Sequence, residues 1–186
     1  MKFGIKENLP VIIEKYLYHE SLNKKILEDS KQFEWTREQI NFDGGASNVR
    51  SLQTIGPIPV GPTGTPSKNV GVIINWVFDI AKNYSLCGTL QVSNIPYKLE
   101  SAWMANYGKG DHTISHVHLG DFAFIYFVKA PPGSSPLVFT TSGKRIKAEE
   151  GKLILFSTRI KHHVPKNRCD NRIVLSGNLV QSTNDK

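Results

Sequence analysis

The stretch His116-Val117-His118-Leu119-Gly120-Asp121-Phe122-Ala123-Phe124-Ile125-Tyr126-Phe127-Val128 decides how this chain is read. On an extended backbone side chains alternate with a period of two, so positions i and i+2 project to one side. His116 and His118 can therefore grip one ion from a strand end. Asp121 sets a carboxylate close by, and the apolar run 122–128 reads as the strand that follows. A third ligand has to come from elsewhere. The pair His162-His163 is the obvious source, with Arg172 ten residues beyond His162 at the start of another strand-like run. Imidazole suits iron, zinc, copper and nickel alike, so the ligand type does not choose the metal. Two or three ligands on one face leave coordination positions open for small molecules and oxygen; two His and one carboxylate is the non-haem iron version.

Histidines in strands are commonly satisfied by ordinary hydrogen bonds. Here five of the six fall between His112 and His163, inside the two segments that a metal site requires. His163 faces away from His162 on a regular strand and stays out of the ligand set. His112 sits in a loop before the site, with solvent exposure as its expected state.

Working outward, 186 residues suffice for one domain with a core of its own. An apolar share of 39% and a charged share of 21% are those of a globular chain, not a disordered one. No apolar run approaches a membrane span, and the basic start lacks the apolar region and cleavage site of a signal peptide. Cys87 and Cys169 form no C-x-x-C and no disulfide framework, so the expected compartment is the reducing cytoplasm, or the host-cell cytoplasm for a viral protein. The net charge of +7 permits nucleic-acid contact. Basic residues are scattered except over 161–172, however, and no nucleic-acid motif is visible.

Leu9, Ile12, Ile13, Tyr16 and Leu17 recur at helical spacing, as do Leu22, Ile26 and Leu27 behind a Ser21 cap. They predict one or two short amphipathic helices. Residues 41–67 are rich in Gly, Pro, Ser, Thr and Asn and read as a long loop, a candidate lid. Ser67 can cap a helix carrying Val70, Ile73, Ile74, Val77 and Ile80 or Ala81, with Gly88 after its end. From Leu90 short apolar segments follow one another, at 99–107, 122–128, 137–140, 144–147, 152–156 and 173–180. Several strands at this spacing argue for a sandwich or barrel. The fold class is α+β: N-terminal helices packed on a jelly-roll pair of sheets. The chain divides into a helical and loop support region (1–89) and a jelly-roll core (90–180) of one domain.

Trp103-Met104-Ala105-Asn106-Tyr107-Gly108-Lys109-Gly110-Asp111, then His116-Val117-His118, make the first half of a familiar set. Gly151-Lys152-Leu153-Ile154-Leu155-Phe156-Ser157, His162, Val164 and Arg172-Ile173-Val174-Leu175-Ser176-Gly177-Asn178 make the second. Together they resemble the 2-oxoglutarate and Fe(II)-dependent oxygenases, in particular the prolyl-4-hydroxylase-like branch with its small bacterial and phage forms. The resemblance covers the chain from Trp103 to Asn178. It implies a double-stranded β-helix, cupin-like, holding Fe(II) between its sheets, with 2-oxoglutarate as co-substrate and O2 as oxidant. It makes His116 the first ligand, His162 the distal one, and Arg172 the clamp on the far carboxylate of 2-oxoglutarate, a task that suits a planar fork of donors.

The chain departs from the family pattern in places. His118 stands where the family has a carboxylate, so the third ligand is either His118, favoured by spacing, or Asp121 reaching back through Leu119-Gly120. Val174 occupies a position where the family often has Ser. Tyr126-Phe127 leaves the usual second tyrosine uncertain, making Tyr107, with Asn106 beside it, a further partner for 2-oxoglutarate alongside Tyr126.

The expected activity is hydroxylation of a protein, peptide or small molecule, with a peptidyl proline implied by the branch. No catalytic residue beyond the metal centre is required. The rivals are a three-His cupin-type dioxygenase without 2-oxoglutarate and a non-catalytic jelly-roll binding or structural protein.

Overall fold

In the computed structural model of the chain, the strand Arg172–Gln181 runs through the middle of a seven-stranded sheet. The structure describes residues 9, 11–37, 41–42, 45–46, 49–56, 59, 67–83 and 97–182. In chain order the elements are β1 (Val11–Lys15), α1 (His19–Asp29), β2 (Trp35–Thr36), β3 (Asn41–Phe42), β4 (Gly45–Ala46), β5 (Val49–Arg50), β6 (Leu52–Thr54), α2 (Lys68–Asn83), β7 (Tyr97–Tyr107), β8 (His112–His116), β9 (Phe122–Lys129), β10 (Leu137–Phe139), β11 (Arg145–Ile146), β12 (Lys152–Ser157), β13 (His162–Val164) and β14 (Arg172–Gln181). The large sheet runs β1-β12-β9-β14-β7-β6-β2 and the small one β11-β10-β13-β8-β5, all antiparallel; β3 and β4 pair alone. This is the expected jelly-roll arrangement, with two α-helices and a short 3-10 helix (Ser30–Gln32) among the described residues.

The large sheet is covered on both faces, and its strands read accordingly. β9 is buried along nearly its whole length, which is why its sequence is an unbroken apolar run without alternation. One face places Met104, Phe124, Tyr126 and Leu175 against Ile26, Ile73 and Val77 of the helices. The other places Ala105, Ile125, Phe127 and Val174 against Leu137, Phe139 and Val164 of the small sheet. Gly177 lets β14 sit close to its neighbours: a Cβ there would stand 2.6 Å from both the Phe124 ring and the Ser101 carbonyl.

The helices form for the reasons their sequences suggest. In α2, Val70, Ile73, Ile74, Val77, Ile80 and Ala81 make one buried stripe. Ser67 Oγ accepts the Val70 N–H at 3.2 Å, an N-cap bond. α1 buries Leu22, Asn23 and Ile26 and begins after Tyr18, whose carbonyl accepts the Ser21 hydroxyl; Ser21 itself lies inside the helix. Asn23 ties α1 to the sheet, donating to the Val128 carbonyl at 2.8 Å and accepting the Tyr126 hydroxyl at 2.7 Å.

Three local expectations are corrected. The helical spacing of Leu9 to Leu17 does not give a helix: β1 forms there and pairs with β12. Val11-Ile12-Ile13 is a β-branched run that suits an extended edge strand, and alternation buries Ile12 while exposing Ile13. Residues 41–67 are not a structureless loop where described. They supply β5 to the small sheet and β6 to the large one, with Gln53 and Thr54 buried. Thr54 Oγ1 accepts the Met104 N–H at 3.0 Å. Within the candidate lid, residues 43–44, 47–48, 57–58 and 60–66 lie outside the described residues, as do Cys87 and Gly88. His112 is the first residue of β8, paired with Arg50, and not a loop residue.

Candidate metal centre

β8 and β13 are neighbours in the small sheet, and their pairing sets His162 opposite His116. Two residues on, Val164 stands opposite Thr113, three residues back, so β8 carries an extra residue. Such a bulge re-aims a side chain. It lets both Thr113 and His116 face the space between the sheets, where they line a small cleft open to solvent. His118 lies just past the end of β8. Its N–H donates to the Thr158 carbonyl at 3.1 Å, which turns its ring back beside the other two.

The ligand atoms of His116, His118 and His162 lie within 4.8 Å of one another. His116 Nδ1 donates to the Ile114 carbonyl at 2.7 Å and His162 Nδ1 to the Ile160 carbonyl at 2.9 Å. These bonds place the protons on Nδ1 and leave both Nε2 lone pairs facing inward. His118 Nε2 is 3.2 Å from His162 Nε2, and Trp103 stacks on the outer face of the His118 ring at 6.0 Å. Burial depresses all three imidazoles, His118 to about 3, His162 to about 4, and His116 below its ordinary value, and repulsion from neighbouring imidazoles adds to it: His162 and His116 on His118, His116 and His163 on His162, and His163 on His116. They are thus neutral at pH 7, the state a metal ligand needs.

Asp121 stands apart from this group. Its Oδ2 accepts the Gln181 N–H at 2.7 Å, and its backbone bonds to Leu179 and Thr158. It holds the end of β14 against the start of β9. His163 points to the other side of β13, where Nδ1 meets Thr140 Oγ1 at 3.0 Å.

Arg172 faces the same inter-sheet space from β14. It is wholly buried, and Asn171, with φ of 59°, turns the chain into the strand just before it. Arg172 Nε donates to the Ser135 carbonyl at 2.9 Å. The guanidinium carbon lies 4.6 Å from the Tyr107 ring centre and 5.2 Å from that of Phe127. Nη1 and Nη2 are buried with no hydrogen-bond partner among the described residues. Burial lowers the guanidinium pKa, yet arginine stays protonated in proteins. The result is a fixed cation offering a two-donor fork to the interior. Tyr107 lies on the same face, its hydroxyl 2.8 Å from Thr113 Oγ1.

Asn106 and Tyr126 do not face the cleft. Asn106 follows the alternation of Met104 and Ala102, which face the helices. Tyr126 is in the helix-side core with its hydroxyl on Asn23.

No family model matches the chain, and no curated protein matches it in sequence. Solved structures do match. A viral collagen prolyl hydroxylase from Paramecium bursaria Chlorella virus-1 aligns over 90% of this chain and 94% of its own, with TM-score 0.61 and 14% identity. A 2OG-Fe(II) oxygenase family oxidoreductase from Burkholderia pseudomallei aligns over 93% and 86%, with TM-score 0.64 and 14% identity. A Pseudomonas putida prolyl-4-hydroxylase aligns over 94% of each chain, with TM-score 0.63 and 13% identity. The chain shares its fold with these solved structures.

The side chains at the centre can be set against that fold by their chemistry. Three neutral imidazoles converging from one side suit a divalent first-row metal. A buried guanidinium with two unpaired donors suits a carboxylate. Thr113, Ser135 and Trp103 join the site without having been singled out as site residues. Trp103 shares the β7 face of Tyr107 and is reachable by alternation. Ser135 acts through a backbone carbonyl, for which the sequence carries no signal.

Proposed function

We propose that this chain is an Fe(II)- and 2-oxoglutarate-dependent oxygenase that hydroxylates a peptidyl substrate, with proline as the residue favoured. One juxtaposition carries the reading: a three-imidazole cluster on the small sheet and a buried guanidinium on the large sheet, two of its nitrogens without a partner among the described residues, both face the space between the sheets, with Tyr107 lining the imidazole cleft and lying against the guanidinium. His116, His118 and His162 would hold the iron, and Arg172 the distal carboxylate of 2-oxoglutarate. Iron and co-substrate, when bound, would supply the oxidising chemistry, in which O2 and 2-oxoglutarate are consumed and CO2, succinate and the hydroxylated product are released.

The chain's own contribution is placement. The Ile114 and Ile160 carbonyls fix the tautomers of His116 and His162. Trp103 covers one face of His118 and shields it from solvent. Tyr107 and Phe127 seat the guanidinium, and the Tyr107–Thr113 hydroxyl pair gives the cleft wall a polar spot. The choice of proline is supported by the names of structural neighbours, among them a Trichoplax adhaerens prolyl hydroxylase in complex with a hypoxia inducible factor peptide fragment.

A three-His dioxygenase that uses no 2-oxoglutarate is favoured by one observation, the imidazole of His118 in place of a carboxylate. Anaerobic addition of Fe(II) and then 2-oxoglutarate separates the two. The proposed enzyme develops a visible charge-transfer band on the second addition and forms succinate slowly once air is admitted. Iron binding with neither response would reject the 2-oxoglutarate reading in favour of the three-His one.

A further inference from the structure

Arg172 can serve as a clamp only if its fork points one way, and the structure shows what aims it. Of the guanidinium's two usable edges, the one containing Nε is taken by the Ser135 carbonyl at 2.9 Å. That leaves the Nη1/Nη2 edge as the remaining bidentate face. The orientation therefore depends on where Ser135 sits and on the Tyr107 ring beneath the guanidinium.

Both lead to one side chain. Asn167, 2% exposed, lies in the loop between β13 and β14. Its Oδ1 accepts the N–H of Ser135 at 2.9 Å. Its Nδ2 donates to the carbonyl of Tyr107 at 3.1 Å and to that of Cys169 at 2.7 Å. Its own backbone is pinned on both sides, N–H to Asp111 at 2.8 Å and carbonyl from Gly110 at 2.8 Å. Asn167 thus holds the N–H of the residue whose C=O holds Arg172, and the backbone of the residue whose ring supports it. Ser135 precedes Pro136, which restricts its backbone to extended conformations and makes the seat stiff.

We infer that Asn167 is the positioning residue of the anion clamp: it sets 2-oxoglutarate affinity through the aim of Arg172, without touching the co-substrate or the metal. This rests on the proposed use of 2-oxoglutarate and goes beyond it by assigning a residue outside the cleft to selectivity for the distal carboxylate. An amide is required because the position needs one acceptor and two donations at once. Asp supplies the acceptor but no donor, and Ala neither.

The test compares two 2-oxo acids on the Fe(II)-loaded full chain under anaerobic conditions. One is 2-oxoglutarate. The other is 2-oxopentanoate, which has the same 2-oxo acid group but no distal carboxylate. In Asn167→Ala the dissociation constant for 2-oxoglutarate should rise about tenfold, the loss of roughly one charge-assisted hydrogen bond, while that for 2-oxopentanoate stays unchanged. Asn167→Asp, nearly isosteric, gives the same split and serves if the alanine variant does not fold. Equal weakening of both acids would mean that Asn167 only supports the fold, and would overturn the inference. So would wild-type affinity for 2-oxoglutarate in Asn167→Asp. Failure of the wild type to bind 2-oxoglutarate would instead reject the co-substrate reading, and this inference with it.

Discussion

Replacing Arg172 by Met should move stability and co-substrate affinity in unrelated ways. Among the described residues the wholly buried guanidinium has one hydrogen bond, to Ser135, and two nitrogens without partners. An underpaired buried charge costs several kcal/mol. Met removes that cost and fills much of the same volume. Against this, the Ser135 carbonyl loses its donor, about 1–3 kcal/mol, and the contacts to Tyr107 and Phe127 lose their cationic part, about 0.5–2 kcal/mol each. These terms nearly cancel, so the net should stay within about 2 kcal/mol. For a chain of 186 residues that is a Tm shift under about 8 °C, of either sign. Binding has no such cancellation. A carboxylate facing a thioether in a buried pocket loses about 2–5 kcal/mol, roughly thirty- to several-thousand-fold in Kd. Scanning calorimetry of the metal-free chain and anaerobic titration of 2-oxoglutarate into the Fe(II) form read the two effects separately. Wild-type 2-oxoglutarate affinity in the variant would refute the clamp. A collapse of Tm would show that the guanidinium stabilises the fold, and the balance drawn here would be wrong.

Other outcomes follow from single contacts. His118→Ala should weaken Fe(II) binding strongly, whereas Asp121→Ala should leave it near wild type and cost about 1 kcal/mol for the lost Gln181 bond; the reverse order in a metal titration would make Asp121 the ligand. The depressed pKa values of His118, about 3, and His162, about 4, mean that below pH 6.5 the unfolded chain binds protons that the folded chain does not. Metal-free stability should therefore be full above pH 6.5 and fall as pH drops toward 4, a trend that urea midpoints at pH 7.5, 5.5 and 4.5 would show and that His118→Gln should flatten. Asn23→Ala strands the Tyr126 hydroxyl and the Val128 carbonyl and should cost about 2–5 kcal/mol with Fe(II) affinity unchanged, since both lie on the helix side of the sheet; a change in metal affinity would contradict that separation.

Much of the fold was legible because burial leaves a pattern. β9, β12 and β14 show apolar runs, and α2 shows a stripe at helical period behind a serine cap. β8 and β13, which carry the ligands, show nothing of the kind. His112-Thr113-Ile114-Ser115-His116 and His162-His163-Val164 are too short and polar to alternate. They were found through their histidines instead. The helix expected from Leu9 to Leu17 failed because the apolar spacing fitted two periods, and pairing with β12 decided between them. Tyr126 and Asn106 were misplaced for a related reason: a strand with core on both faces does not announce which face a side chain serves. The aim of Arg172 could not be read at all. It depends on a carbonyl 37 residues away, and backbone contacts leave no trace in spacing.

The three imidazoles all belong to the small sheet or the loop leaving it, whereas Arg172 and Tyr107 belong to the large sheet. A molecule held at both ends would be a cross-tie between two separately hydrogen-bonded layers. The layers differ in how readily they open. β9 and β14 lie inside the large sheet with strands on either side, while β13 is three residues long, and short elements exchange their amide protons through smaller local openings. Iron alone would tighten the small sheet around itself. A dicarboxylate reaching from the imidazoles to Arg172 would bind the opening of β13 to that of β14, so that the amide of Val164 exchanged at the pace of the protein's centre.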